Sequence, residues 1–295
     1  MRTSSGKFYR ILIAAIFLCV SFEAAAHDMD LALGRLAFPC RGPTRSDKTC
    51  QQGFHNLMRD YSYALAPKLL APAETLGYSG FYIGLEGSLT PMDNSAGYLK
   101  EGTVVQGSSD AVLFVPALHI RKGLPWSFEI GGSINYMANT ELVGIGGDLK
   151  WSLFEGFREG VFGGLPDVAV RTSVVRLLGS PDVDVTVIGL DGSISWAVAL
   201  GGMVVLTPYA GYQHLWSLVF AESVIVGQSQ QKLPSANTPQ DEASYQFDKE
   251  TLMRHRPFVG LRFLWEHLTL TPEFSMGVGD GAVATQISLG VGTDF

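Results

Sequence analysis

Beyond its first 26 residues the chain lacks any run of about 18 apolar residues, so a membrane-spanning helix is excluded; the longest stretch, Trp196 to Leu206, is short and holds Gly201-Gly202. Charge is scarce at 17%, and the 21 Lys+Arg are outnumbered by 28 Asp+Glu, for a net charge of -7. No basic stripe occurs, which excludes a nucleic-acid binder, since neutralising phosphates needs clustered Lys and Arg. Cysteine is nearly absent, with three in all. His119, His255 and His267 are too scattered for a metal site, and no glycine-rich phosphate loop opens a helix, so neither metal nor cofactor is expected. What the 295 residues do hold is 46% hydrophobic side chains and 34 Gly, at a mean hydropathy of +0.18. That is too apolar for disorder and too glycine-rich for a helical bundle. The apolar residues are spread evenly along the chain, which makes membrane association the first idea to test.

Residues 1–26 read as a secretory signal: Arg2, Lys7 and Arg10 lead into the apolar run Ile11 to Phe22, and Ala24-Ala25-Ala26 suits a peptidase, with cleavage after Ala26. About 12 apolar residues make only about 18 Å of helix, too short to span. Cys19 leaves with the signal, and Leu18 before it does not suit lipidation. Cys40 and Cys50 remain, in PCRGPTRSDKTC. In an oxidising compartment such a pair most simply closes one disulfide; free thiols are the alternative, and a metal site would need ligands beyond His55.

Apolar and polar residues alternate strictly in several segments. At the C-terminus Val283, Thr285, Ile287, Leu289, Val291, Thr293 and Phe295 share one face, with Ala284, Gln286, Ser288, Gly290, Gly292 and Asp294 on the other. Leu268 to Val278 and Phe81 to Leu89 repeat the pattern. A soluble sandwich alternates too, but its polar face meets bulk water and is rich in Lys, Glu and Thr. Here Gly, Ser and Ala dominate that face, as in a crowded, tightly curved lumen. Only helices and closed barrels satisfy every backbone group in lipid, and segments of about 10 alternating residues are the mark of a barrel.

A cleaved signal, repeated amphipathic strands and the final strand TQISLGVGTDF, ending in an aromatic residue, together resemble the outer-membrane β-barrel proteins of Gram-negative bacteria. The resemblance covers about residues 78–295. It implies a bacterial outer-membrane location, contact with outer-membrane lipid and lipopolysaccharide, and recognition of the last strand, with Phe295, by the barrel-assembly machinery.

The expected fold is all-β: a closed antiparallel transmembrane barrel over residues 77–295, after a segment spanning residues 27–76. Ten strands are expected near 78–90, 111–121, 125–137, 142–154, 166–178, 184–198, 203–217, 257–266, 268–279 and 283–295. The long stretch Glu155 to Leu165 leaves eight or twelve open. Pro91 to Asp110 and Val219 to Arg256 read as extracellular loops. All five tryptophans, at 126, 151, 196, 216 and 265, fall in or beside strands, as in a membrane girdle. In the N-terminal segment Phe54, Leu57, Met58, Tyr61 and Leu65 recur at helical spacing until Pro67 and Pro72. A short helix restrained by the Cys40–Cys50 loop should therefore plug the lumen, pack at its periplasmic mouth or serve as a linker.

On the inward register lie Glu86, Arg121, Glu129, Asp148 and Lys150, then Arg171, Asp191, Arg262, Glu266 and Glu273. Buried charges must be paired, so these should form a cross-strand network that either holds the lumen shut or filters a solute. Ten strands leave only a narrow or gated path. His214 and Ser217 are the nearest His/Ser pair, but i and i+3 fall on opposite faces of a strand. The Asp-x-His of the omptin-type proteases, which Asp182 and Asp184 would have to join, does not occur in the chain. No enzyme is expected. The expectation is a narrow or gated channel or transporter for a small solute, hydrophobic ones included. The alternative is a structural or adhesive surface protein meeting a partner through residues 219–256.

Overall fold

The computed structural model describes residues 29–41, 47–104, 111–156, 165–201, 203–226 and 244–295. The expected signal, its cleavage site, Gly202, residues 157–164 of the stretch 155–165 and residues 227–243 of the stretch 219–256 lie outside the described residues.

Thirteen strands follow in chain order: β1 (Phe81–Pro91), β2 (Val112–Leu124), β3 (Phe128–Tyr136), β4 (Val143–Phe154), β5 (Asp167–Leu178), β6 (Val183–Ser195), β7 (Val198–Leu200), β8 (Val204–Ala221), β9 (Ser223–Ile225), β10 (Ser244–Gln246), β11 (Glu250–Trp265), β12 (Leu268–Gly279) and β13 (Ala282–Asp294). Ten of them close a barrel in the order β11, β12, β13, β1, β2, β3, β4, β5, β6, β8, with β8 pairing back onto β11. Every pairing is antiparallel. The short β7 lies against β8, and β9 with β10 forms a separate hairpin.

All ten expected strands are present, and three are longer than expected. β2 runs on to Leu124 instead of stopping at 121. β8 runs on to Ala221, and β11 starts at Glu250 instead of 257. Their pairing from Val219↔Glu250 onward carries them past β12, whose Val278 lies level with His255.

The barrel is inside-out relative to a soluble protein. In β1 the apolar Ile83, Leu85 and Leu89 are exposed, while Tyr82, Glu86, Ser88 and Thr90 are buried. β13 exposes Val283, Ile287, Leu289 and Val291 and buries Gln286 and Ser288. Apolar faces outward and polar groups inward are the arrangement of a barrel standing in a bilayer, where closure leaves no unpaired edge. Trp126, Trp151, Trp196 and Trp265 are all exposed, near the end of the barrel at which β1 begins and β13 stops. We call this the terminus end, and the opposite end, with the long connections, the distal end. A belt of tryptophans at one end is typical of a membrane–water boundary.

The described residues also hold helices α1 (Leu33–Ala37), α2 (Asp47–Leu65) and α3 (Gly97–Gly102), and Cys40 and Cys50 are joined in a disulfide. The helical spacing read in the N-terminal segment corresponds to α2: Phe54, Leu57, Met58, Tyr61 and Leu65 are all at most 2% exposed. They pack with Leu113, Val115, Val175, Leu177, Val185, Val187, Leu215, Val219 and Leu252, which face inward from the distal half of the barrel. The helix therefore lies in the lumen, and not at the mouth by the terminus end, which the sequence reading assigned to the periplasm. Residues 29–41 sit beyond it under the distal connections: Leu31 bridges Thr103, and the Met29 amide donates to the Asn139 carbonyl at 2.9 Å. From α2 the chain descends as an extended thread through the terminus half before turning into β1.

Candidate functional site

Pro67 and Pro72 bar a helix, so the thread over residues 66–77 cannot pair its own amides and carbonyls. The charged side chains of the lumen pair them instead. Arg171 Nη1 donates to the Lys68 carbonyl at 2.8 Å while its Nε donates to Asp191 at 3.1 Å. Glu273 accepts from the Leu70 amide at 3.1 Å and from the Tyr209 hydroxyl at 2.9 Å, and Arg256 stands 3.5 Å from its other oxygen. Lys150 donates to the Pro72 and Glu74 carbonyls at 3.3 and 2.9 Å and pairs with Glu129 at 3.1 Å. Glu129 in turn accepts from the Leu76 amide at 3.1 Å. Arg121 Nη2 reaches the Leu70 carbonyl at 3.4 Å, and its guanidinium lies 4.0 Å from the centre of the Tyr82 ring. The network thus joins strand to strand and also grips a polypeptide.

Glu86 and Asp148 are bridged by a residue the sequence reading had set aside. His119 places Nδ1 2.9 Å from Glu86 and Nε2 3.0 Å from Asp148, so its ring joins the two carboxyl groups. Arg262 pairs with Asp294 and approaches Glu74 at 3.9 Å. Nine of the ten expected charges thus belong to the lumen network, and Glu266 does not. It lies in the exposed turn after β11, with φ of +55°. The strand ends at Trp265, and the turn breaks the two-residue alternation that had placed Glu266 inward.

Other partners escaped the sequence reading. Gln213 holds the Pro67 carbonyl at 3.2 Å and Asp191 at 3.0 Å, and Glu155 accepts from the Thr75 amide at 2.7 Å. Arg254 and Arg256 had been assigned to a loop. His214 and Ser217 do fall on opposite faces, with Ser217 buried and His214 turned outward, 3.3 Å from His255. Among the described residues no group of three His, Cys, Asp or Glu is placed to hold a metal ion.

The lumen retains little space. A cavity of about 10 Å³ lies among Leu70, Tyr82, Arg121, Lys150, Thr269 and Asp294. Another of about 10 Å³ lies beside Lys68, His119 and Arg171. A wider cleft of about 450 Å³ opens at the distal mouth between α2 and the β9–β10 hairpin, lined by Gln51, His55, Tyr245, Asp248 and Glu250. There His55 stands 3.0 Å from Glu250, and Phe54 stacks on Phe247 with ring centres 4.6 Å apart. At the same end Tyr98 donates to Asp60 at 2.7 Å; burial first, and then that carboxylate, raise its phenol well above the ordinary range.

No family model matches the chain, and no curated protein does. Among solved structures it is similar to the N-terminal β-barrel domain of OprF from Pseudomonas aeruginosa, at 12% identity and a TM-score of 0.31, over 74% of this chain and 99% of that one. It is also similar to the Yersinia pestis outer membrane protein Ail, at 12% and 0.28, over 74% and 99%. A third is the translocator domain of the autotransporter NalP from Neisseria meningitidis, at 12% and 0.37, over 84% and 98%. All three are outer-membrane β-barrel proteins. The architecture of this chain rests on its own closed strand pairing, with an apolar exterior and a polypeptide in its lumen.

Proposed function

We propose that the protein is an exported outer-membrane barrel serving as a narrow conduit gated by its own N-terminal segment. Residues 1–26 would be the signal, 27–76 the plug and 77–295 the barrel. The observation that carries this reading is the way the lumen charges are used. Lys150, Arg171 and Glu273 bind backbone groups of a separate segment, and such bonds can be exchanged for water or solute if that segment moves. A lumen closed for stability alone would do better with apolar packing, because buried ion pairs add little net stability. The charge-lined terminus half favours a small hydrophilic solute over a hydrophobic one. Lipid and lipopolysaccharide would contact the apolar belt, and the barrel-assembly machinery would read the last strand with Phe295.

A second reading, a surface protein with no transport, is supported by the filling of the lumen from Phe54 to Leu76 and by the cap of residues 29–41 at the distal mouth. Conductance of the full chain in planar bilayers separates the two. The conduit predicts a nearly closed wild type, and sustained open steps when Lys150→Met and Arg171→Met together release the thread. A variant that inserts but stays silent at every voltage would favour the surface protein.

A further inference from the structure

The N-terminal segment runs through the barrel in one direction, and its contacts mark that direction residue by residue. Leu57 of α2 stands against Gly102 of α3, in the distal connection after β1, where an added Cβ would lie 2.6 Å from its side chain. Tyr63 lies on Gly277 near the distal end of β12, and Leu70 on Gly290 toward the terminus end of β13. The Leu76 amide donates to Glu129 at the start of β3, and the Gly80 carbonyl accepts from the Gly123 amide at 3.0 Å, both at the terminus end. The 19 residues of α2 make about 28 Å of helix, and the thread over residues 66–77 extends it. Together they are longer than the apolar band of about 25 Å that a barrel presents to lipid. The two ends of the segment therefore stand on opposite sides of the membrane.

The distal end of the segment is fastened mainly through backbone groups. The Met29 and Ala32 amides donate to the Asn139 and Gly102 carbonyls at 2.9 and 2.8 Å, and the Val104 amide donates to the Asp30 carbonyl at 3.0 Å. Arg35 Nη1 donates to the Thr103 and Val104 carbonyls at 2.6 Å each. These partners belong to the distal connections between β1 and β2 and between β3 and β4. From α2 the Tyr61 hydroxyl donates to the Met29 carbonyl at 2.6 Å. The way back is shut, because the two cavities beside the thread hold about 10 Å³ each, room for one water. Among the described residues a second stretch of chain has no room to pass the plug. Yet the sequence reading sets a secretory signal directly ahead of this segment, and its cleavage frees the new end in the periplasm, on the terminus side. To reach the observed arrangement the segment has to cross the outer membrane inside the barrel.

We propose that the barrel carries its own N-terminal segment outward across the outer membrane and holds it at the cell surface, and that a peptide joined ahead of Met29 is carried out with it. This goes beyond the conduit reading and rests only on its placement of the barrel, with the terminus end in the periplasm. The test has two arms, both on intact cells of a Gram-negative host making the full chain, with folding checked by heat-dependent gel mobility. In the first, a membrane-impermeant, amine-reactive biotin ester is applied to the unaltered protein and its sites are located by mass spectrometry. Lys48, exposed at the start of α2, and Lys100 of α3 should be modified, and Lys122, beside the Gly80 carbonyl at the terminus end, only after the outer membrane is permeabilised. In the second, an epitope inserted between His27 and Asp28 should bind antibody on intact cells as fully as one inserted between Asn94 and Ser95 in the β1–β2 connection. An epitope between Glu266 and His267, in the turn after β11, should bind only after permeabilisation. If Lys100 and the epitope after Asn94 are reached on intact cells while Lys48 and the epitope after His27 are hidden, outward carriage is overturned and the orientation stands. Modification of Lys48 with a hidden epitope after His27 in a folded barrel would overturn carriage of a joined peptide and leave that of the native segment. Lys122 modified on intact cells with Lys100 protected, or all three protected, would overturn the placement of the barrel and the proposal together.

Discussion

The distal and terminus halves of the lumen hold the same N-terminal segment by opposite means. In the distal half the segment is a helix, whose backbone bonds are internal, so a wall of valine and leucine suffices: Val175, Leu177, Val185, Val187 and Leu215 meet Phe54, Leu57 and Met58. In the terminus half Pro67 and Pro72 keep it extended, and its unpaired amides and carbonyls require donors and acceptors from the wall. Arg171, Lys150, Glu273 and Glu129 provide them. A barrel wall is thus matched to the secondary structure it encloses, and the change from apolar to charged inward residues marks the point where the helix ends.

The two halves should therefore fail differently. The largest effect is expected from Arg171→Met, which leaves Asp191 and the Lys68 carbonyl without their cation. A loss of about 3–5 kcal/mol in urea unfolding from detergent micelles is expected, as for one partner of a buried pair removed. Leu57→Ala in the distal half removes packing and leaves every polar group paired. It should cost about 3 kcal/mol by the same assay and leave bilayer conductance unchanged, whereas Arg171→Met should raise conductance. Replacing Cys40 and Cys50 by Ser opens a loop in the distal cap and should cost about 2 kcal/mol, seen as earlier proteolysis of the N-terminal segment with the barrel intact.

Tyr98→Phe, which cuts one hydrogen bond of the distal cap to Asp60, should cost about 0.5–1.5 kcal/mol. Because the folded state raises the Tyr98 phenol above its ordinary pKa, the folded form binds more protons than the unfolded one at high pH. Its contribution is whole below about pH 10 and shrinks as pH rises beyond it. In an ultraviolet titration of the folded protein, Tyr98→Phe should remove one phenol from the late-ionising fraction and leave the rest of that fraction in place.

Alternation made the barrel legible because a bilayer imposes it on every strand that crosses. It failed where that constraint ends. Residues 250–253 project past β12 and His255 lies level with its penultimate residue, Val278, so the outward positions Thr251 and His255 are not obliged to be apolar, and the segment looked like a loop. That error hid Arg254 and Arg256. The turn at Glu266 misled in the same way, since periodicity carries no information past the end of a strand. The amphipathic spacing of α2 revealed a buried helix but could not say which wall buries it, because the partners are scattered over several strands brought together only by closure. His119 looked isolated because its two carboxylates are 33 and 29 residues away in sequence. The inward set was nevertheless visible as charged residues in otherwise small-residue faces, and nine of the ten line the lumen.

The central claim is that the chain's own thread occupies the lumen. The Cβ of Leu70 lies 3.8 Å from where a Cβ at Gly290 would stand, within the spacing that a disulfide needs. Leu70→Cys with Gly290→Cys, in the full chain purified without reductant, should yield a peptide cross-linked between residues 70 and 290 by mass spectrometry, with neither thiol reactive to maleimide. Two freely labelled cysteines in a correctly folded barrel would show that the thread lies elsewhere.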